Sequence, residues 1–434
     1  MGDQLSADDA RILSLESESL LGHTLKLIVV EPGAPLSVDQ LRRSVAERLP
    51  RVPRAQERID TTSGPPRWVR ADTVDLDYHV RARAGECADD DQVRLLVSEL
   101  MSEHLDRSHP LWTFDVIGPL PDGRQAIAAR IHHAMADGIA AVRFLEAVLL
   151  DPHDAPVHES GMRPARPASA AAAHPLTPLD EVRRLPAVVA RELGHPGGRS
   201  PFDRPVTSAR ELAFCALPLA GMRAIGASRP SHATVNDVLL ASVAGGLATW
   251  PTTTASGVGR TPGRLRAQVP VSLHHRAEEG GSLGNHDSFL DVDLPLGPMH
   301  PAERLDAISA QTRTAKQSDD AAVLYDLMHA LGRLGSVGAT TADLLTGSAR
   351  EFAVAVSNVP GPRVAVSVAG RRVTQLYSSS EPGAHHALRI AAISDADTLG
   401  IGFSTDPTAL PGIADLATAT LAAFTRLQSA TLSP

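Results

Sequence analysis

Arg130-Ile131-His132-His133-Ala134-Met135-Ala136-Asp137-Gly138 is the stretch whose reading decides the fold of this chain. Ala126 to His132 reads as a strand. It delivers two histidines, a short turn follows, and Asp-Gly opens a helix from about Ile139 to Leu150. Val142, Leu145, Val148 and Leu149 fall on one face of that helix. Neighbouring strand residues point to opposite faces, so His132 and His133 cannot do the same job. One can face a cavity while the other is packed. A neutral imidazole at a strand end suits a general base near pH 7. Asp137 is close enough to fix the turn, and Gly138 allows close backbone approach. A packed histidine pair with a helix-capping aspartate accounts for the same residues, and the local sequence leaves both readings open.

Working outward, Thr113 to Ile117 pairs as a second strand through Gly118-Pro119 and the turn Pro121-Asp122-Gly123. Leu25 to Val30 is a strand-like run. Ser37 and Gln40 form a capping-box pattern ahead of Leu41, Val45 and Leu49. Residues 1–151 therefore read as one α/β unit. Residues 152–205 are dense in Pro and Ala and read as a crossover linker with an amphipathic piece from Leu179 to Leu193. Residues 206–434 read as a second α/β unit, with strands at Arg266–Val271, Phe289–Leu294, Phe352–Ser357 and Leu399–Ser404.

The 434 residues are 43% apolar and 21% charged, a globular composition with ample core. The formal net charge of −9 argues against a nucleic-acid partner, which needs concentrated Lys and Arg. Nearly all basic residues are Arg; Lys26 and Lys316 are the only lysines. Cys87 and Cys215 cannot build a disulfide framework, no Cys/His spacing suggests a metal site, and a reducing cytoplasm is the expected compartment. No apolar run approaches the ~18 residues of a membrane helix. Gly280-Gly281-Ser282-Leu283-Gly284 satisfies G-x-S-x-G but lacks the strand before and the helix after, so it reads as a glycine loop.

His132-His133 through Asp137-Gly138 matches the HHxxxDG signature of the chloramphenicol acetyltransferase-like superfamily. Further matches follow in order: Asp75-Leu76-Asp77-Tyr78-His79-Val80, Leu105-Asp106-Arg107-Ser108, Pro110-Leu111-Trp112, Thr234-Val235-Asn236-Asp237-Val238, Val269-Pro270-Val271-Ser272, Gly284-Asn285 and Ser357-Asn358-Val359-Pro360-Gly361-Pro362. Over nearly its whole length the chain resembles the bacterial wax ester synthase/diacylglycerol acyltransferases.

That resemblance implies an α/β (α+β sandwich) fold of two chloramphenicol acetyltransferase-like domains, a pseudo-dimer with a tunnel between them. It implies acyl-CoA as co-substrate, a hydroxyl-bearing acceptor such as an alcohol or diacylglycerol, and neither a metal nor another cofactor. His133 would be the general base and no covalent acyl-enzyme would form. Asp137 would be structural, with Arg276 as a candidate partner. Asn285 is the candidate oxyanion donor, with a turn asparagine as the alternative reading. Pro110, Leu111 and Trp112, with Ser357, Asn358, Pro360 and Gly361, would shape and pack the tunnel. Asn236 and Asp237 read as an N-cap pair. Contact with a membrane or lipid droplet would be peripheral.

The chain departs from the family pattern at Ala384-His385-His386-Ala387-Leu388-Arg389-Ile390, where charged and polar residues enter a usually apolar acyl pocket. That puts a very long acyl chain in doubt and points to a polar acceptor. The near-N-terminal histidine of the family corresponds to His23, with altered neighbours. Two other readings stand beside the first. One is a condensation-type transferase of secondary metabolism fed by an acyl carrier protein; the other is a non-catalytic binding domain.

Overall fold

The computed structural model describes residues 3–62, 64–83, 87, 89–153, 200–250, 253–254, 257–258, 262–272, 287–318 and 352–432. A seven-stranded sheet runs in the order Val80–Ala82, Trp112–Ile117, Gln125–His132, His23–Val30, Arg371–Ser380, Val366–Val368, Asp151–Pro152. The three central strands from the first 150 residues are buried along their whole length. Both faces are therefore covered, and alternate residues go to different cores. Ile28, Val30, Ile127, Ala129 and Ile131 pack with the helices Val38–Arg48 and Gly138–Val148. Leu25, Leu27, Val29, Ala126 and Ala128 pack with the helix Asp90–Leu100 on the opposite face.

The second sheet has six strands in the order Asp287–Pro295, Arg264–Ser272, Val354–Val359, Leu388–Ser394, Thr398–Thr405, Glu211–Pro218. Its core takes in apolar residues from the helices Val235–Thr249, Pro301–Ser318 and Ile413–Leu432. Cys215 lies here as a free, buried thiol, pushed up to about 12 by burial.

One strand ties the sheets together. Arg371–Ser380 comes late in the chain, yet pairs antiparallel with His23–Val30 from Val373↔Val30 to Ser380↔Thr24. Together with Val366–Val368, it carries part of the 206–434 stretch into the first sheet. Its other side lies against Thr398–Thr405. A Cβ on Gly400 or Gly402 would run into the carbonyl oxygens of Leu376 and Ser378. Side-chain-free positions let the two backbones come that close.

A buried ionic cluster anchors the histidine strand. Asp115, fully buried, meets Arg81 and Arg83 at 2.9 Å and Arg130 at 3.9 Å. Arg130 in turn donates to the carbonyl oxygens of Leu100 and Glu103. Burying a carboxylate is costly unless it is paired and hydrogen-bonded, and these arginines supply the pairing.

Candidate active site

The two histidines sit in different surroundings, as their opposite facing requires. His132 is 1% exposed. Its Nδ1 accepts from the Ala134 N–H at 3.1 Å. The proton therefore belongs on Nε2, which donates to the Glu16 carboxylate at 3.3 Å. Glu16 also meets His104 at 3.0 Å and is paired with Arg107. Burial works to raise the Glu16 carboxyl, but hydrogen bonds and charge from His132 and Arg107 outweigh it and hold the group at about 2. His132 is a packed, fully engaged side chain.

His133 is only partly buried, and its Nε2 lies 3.1 Å from the hydroxyl oxygen of Ser380 on the crossing strand. Burial lowers His133 to about 3, helped by the positive charges of Arg389 and Lys26 and by His132. The imidazole is therefore neutral throughout the physiological range.

Two backbone hydrogen bonds tie the pair to neighbouring segments. The His132 N–H donates to Leu111 at 3.0 Å, which places Pro110-Leu111-Trp112 directly behind the histidines. Trp112 is fully buried, donates to the Ala55 carbonyl at 2.9 Å and stacks on His79 at 4.1 Å. The His133 N–H donates to Gly22 at 2.8 Å. Gly22 adopts φ +73°, and a Cβ there would collide with the His132 ring. Glu381 accepts from the Leu21 and Gly22 N–H groups at 2.7 and 2.6 Å and faces Arg210 at 3.5 Å.

Asp137 is the N-cap of the following helix; its carboxylate accepts from the Ala140 N–H at 2.7 Å. Gly138 packs against Val359, where a Cβ would come within 2.7 Å of a methyl group. This contact brings the Ser357-Asn358-Val359-Pro360-Gly361 segment onto the histidine turn. Ser357 and Asn358 pair with Ala391 and Ala392, and the Gly361 N–H donates to Ser394 at 3.2 Å.

Not every residue singled out from sequence joins this cluster. Thr234, not Asn236 or Asp237, is the N-cap of Val235–Thr249. Asp237 completes a capping box and accepts from the Thr312 hydroxyl at 2.7 Å, both groups buried. A hydroxyl cap residue leads that turn because its short side chain reaches the third N–H. Asn285, Arg276, the Gly280–Gly284 loop and Leu179–Leu193 lie outside the described residues. His23 is fully buried opposite His132 in register, and burial lowers it well below the usual histidine range. His386 stacks on Phe352 at 4.1 Å, and burial lowers it to about 4. Glu16, Ser380, Glu381 and Lys26 belong to the site without any motif announcing them.

Residues 5–239 match the wax ester synthase/diacylglycerol acyltransferase catalytic domain, and residues 283–428 match the C-terminal domain of the same group. The chain belongs to the wax ester synthase/diacylglycerol acyltransferase family. It is an acyltransferase. A diacylglycerol O-acyltransferase-named chain of Mycobacterium tuberculosis is 32% identical over 402 residues, covering 84% of this chain and 77% of the relative. The probable diacylglycerol O-acyltransferase tgs1 of the same organism is 29% identical over 409 residues, covering 88% and 85%. In fold, the chain is similar to the wax ester synthase/diacylglycerol acyltransferase from Marinobacter aquaeolei VT8, with TM-score 0.71, 23% identity and 98% of each chain covered. It is also similar to the first condensation domain of the CDA synthetase, with TM-score 0.57, 17% identity and coverage of 100% and 97%. The architecture is the two-domain, chloramphenicol acetyltransferase-like fold shared by this group. Among the described residues no helix is long and apolar enough to cross a membrane.

Proposed function

We propose that the protein transfers an acyl group from acyl-CoA to a hydroxyl acceptor, with His133 as general base and no covalent acyl-enzyme. The observation that carries this reading is the neutral His133 imidazole, hydrogen-bonded to a hydroxyl oxygen on a partly open face. A general base must be unprotonated and must reach an O–H within about 3 Å. Ser380 Oγ marks the direction from which a hydroxyl meets Nε2.

In the reaction, His133 takes the acceptor's proton as the acceptor oxygen attacks the thioester carbonyl. The tetrahedral intermediate collapses, the C–S bond breaks, and the proton passes to the departing CoA thiolate. Base assistance contributes on the order of 10²–10⁴-fold, so positioning and charge stabilisation supply much of the remainder. The positive charges of Arg389 and Lys26 that oppose an imidazolium also favour the oxyanion. Asn285 is the proposed hydrogen-bond donor to that oxyanion. Asp137 and His132 are positioning residues: one caps the helix, the other locks the turn.

The test is release of free thiol from acyl-CoA in the presence of alcohols and diacylglycerol, with mass spectrometry of the ester. Absence of thiol release with every acceptor contradicts the proposal and favours a binding role. Supplying the same acyl group on CoA and on a carrier protein separates the CoA-dependent reaction from the condensation-type one. Arg389 and His386 favour a polar acceptor over a storage lipid. Any lipid contact is proposed to be peripheral.

A further inference from the structure

A buried charge lies on the same face of the sheet as His133. Lys26 is 1% exposed and is one of the chain's two lysines. Among the described residues it makes no ion pair, and burial is the cause of its lowered basicity.

The strand register shows what shares its face. Alternate residues point the same way, so Thr24, Lys26, Ile28 and Val30 face together. Residues opposite one another in an antiparallel pair also share a face. Ser378 stands opposite Lys26, and Ser380 opposite Thr24. On the other neighbouring strand, Ile131 stands opposite Thr24. His133 follows Ile131 by two residues and meets Ser380. Thr24, Lys26, Ser378 and Ser380 therefore form a buried polar strip that leads to the proposed base. Beside the strip the face is apolar core, including Ile28, Val30, Ala129 and Leu376, with the buried Gln125 opposite Val30 at the far end.

A leucine would fill this position without desolvating a charge. Burial lowers Lys26 only to about 8, so most of it remains an ammonium ion at pH 7. A buried cation that no carboxylate among the described residues pairs is costly, and an anion delivered by a ligand removes that cost. Lys26 acts electrostatically on His133, so an anion taken up on the polar strip at Lys26 lies within electrostatic reach of the proposed base.

We infer that Lys26 receives a carboxylate or equivalent anionic group of the substrate, on the polar strip beside His133, and so selects an acid-bearing substrate. The inference rests on the acyl-transfer reading of His133. The same carboxylate chemistry can reside on the acyl donor, as in a half-acid thioester, or on the acceptor, as in a hydroxy acid. Lys26 forms no covalent bond in either case.

The experiment compares matched substrates in the full-length protein and in Lys26→Met, which has nearly the same length and no charge. Succinyl-CoA is set against butyryl-CoA with one neutral alcohol. 6-Hydroxyhexanoate is set against hexanol with one acyl-CoA. The wild type is expected to favour the charged member of one pair by about tenfold or more in kcat/KM. That pair identifies which substrate carries the anion. Lys26→Met is expected to bring the ratio close to one, and Lys26→Arg to keep most of it. A ratio near one in the wild type for both pairs, or a ratio unchanged in Lys26→Met, overturns the inference. Calorimetric binding of hexanoate against hexanol provides a second readout that needs no turnover. Tighter hexanoate binding that Lys26→Met abolishes supports the lysine site; equal binding overturns it. Acyl transfer with neutral substrates alone leaves the reading of His133 intact while this inference fails. If no acyl transfer occurs at all, that reading fails and the binding comparison decides the lysine.

Discussion

His133 Nε2 lies 3.1 Å from Ser380 Oγ, although the two residues are far apart in the chain. The Arg371–Ser380 strand crosses into the first sheet and delivers the serine beside the histidine turn. A serine–histidine contact of this kind has two chemical uses. The hydroxyl can hold the ring, or the ring can activate the hydroxyl as a nucleophile. Direct transfer to the acceptor, as proposed, requires the first.

Ser380→Ala is therefore expected to lower kcat by about tenfold and to leave measurable turnover, because positioning is weakened and the base remains. Intact-protein mass spectrometry after mixing with acyl-CoA alone is expected to show no added acyl mass. An acyl adduct that Ser380→Ala abolishes would establish a covalent route instead.

Gly22→Ala tests the packing around His132. The residue has φ +73° and no room for a Cβ against the His132 ring. Backbone strain and overpacking act together, so a loss of about 2–4 kcal/mol in stability is expected. Denaturant unfolding measures it, and a change below about 0.5 kcal/mol, as at an ordinary surface site, would contradict the packing described.

Acid is expected to destabilise the protein from just below neutrality. Burial lowers His133 to about 3 and His79 and His386 to about 4 in the folded state, while the unfolded chain titrates near 6.5. Between those values the unfolded state binds more protons, so stability rises with pH. The contribution is fully present above about 6.5 and is lost as pH falls through 4 towards 3. Glu16, at about 2, acts in the same direction once pH drops below its ordinary 4.5. Unfolding midpoints at pH 7 and pH 5 should show a lower value at pH 5. An equal or higher midpoint at pH 5 would contradict the burial of these imidazoles.

The strand, turn and helix around His132 and Asp137 are legible in the sequence because their signals are local. An apolar run, a capping aspartate and a helical period all fall within about thirty residues. The pairing of Pro110-Leu111-Trp112 with the histidines is legible only as a recurring motif; the structure gives its cause in the Leu111–His132 backbone hydrogen bond. Glu16 and Glu381 look like ordinary surface carboxylates in sequence, and their partners lie far along the chain, Glu16 meeting His104, Arg107 and His132 and Glu381 meeting Leu21, Gly22 and Arg210. The Ser378-Ser379-Ser380 run lacks the apolar alternation of a half-buried strand. It is buried because His23–Val30 and Thr398–Thr405 enclose it, a tertiary effect that no local pattern records. Lys26 is hidden for the same reason: one lysine within an apolar strand gives no indication of whether its head reaches solvent.

The most direct measurement compares His133→Ala with His132→Ala, recording thiol release from acyl-CoA and the thermal midpoint for each. His133 faces a partly open site, so His133→Ala should lose about 10²–10⁴-fold in turnover while keeping its midpoint within about 3 °C. His132 is locked between Glu16 and the Ala134 N–H, so His132→Ala should lower the midpoint markedly. Full turnover in His133→Ala would contradict the assignment of His133 as the base.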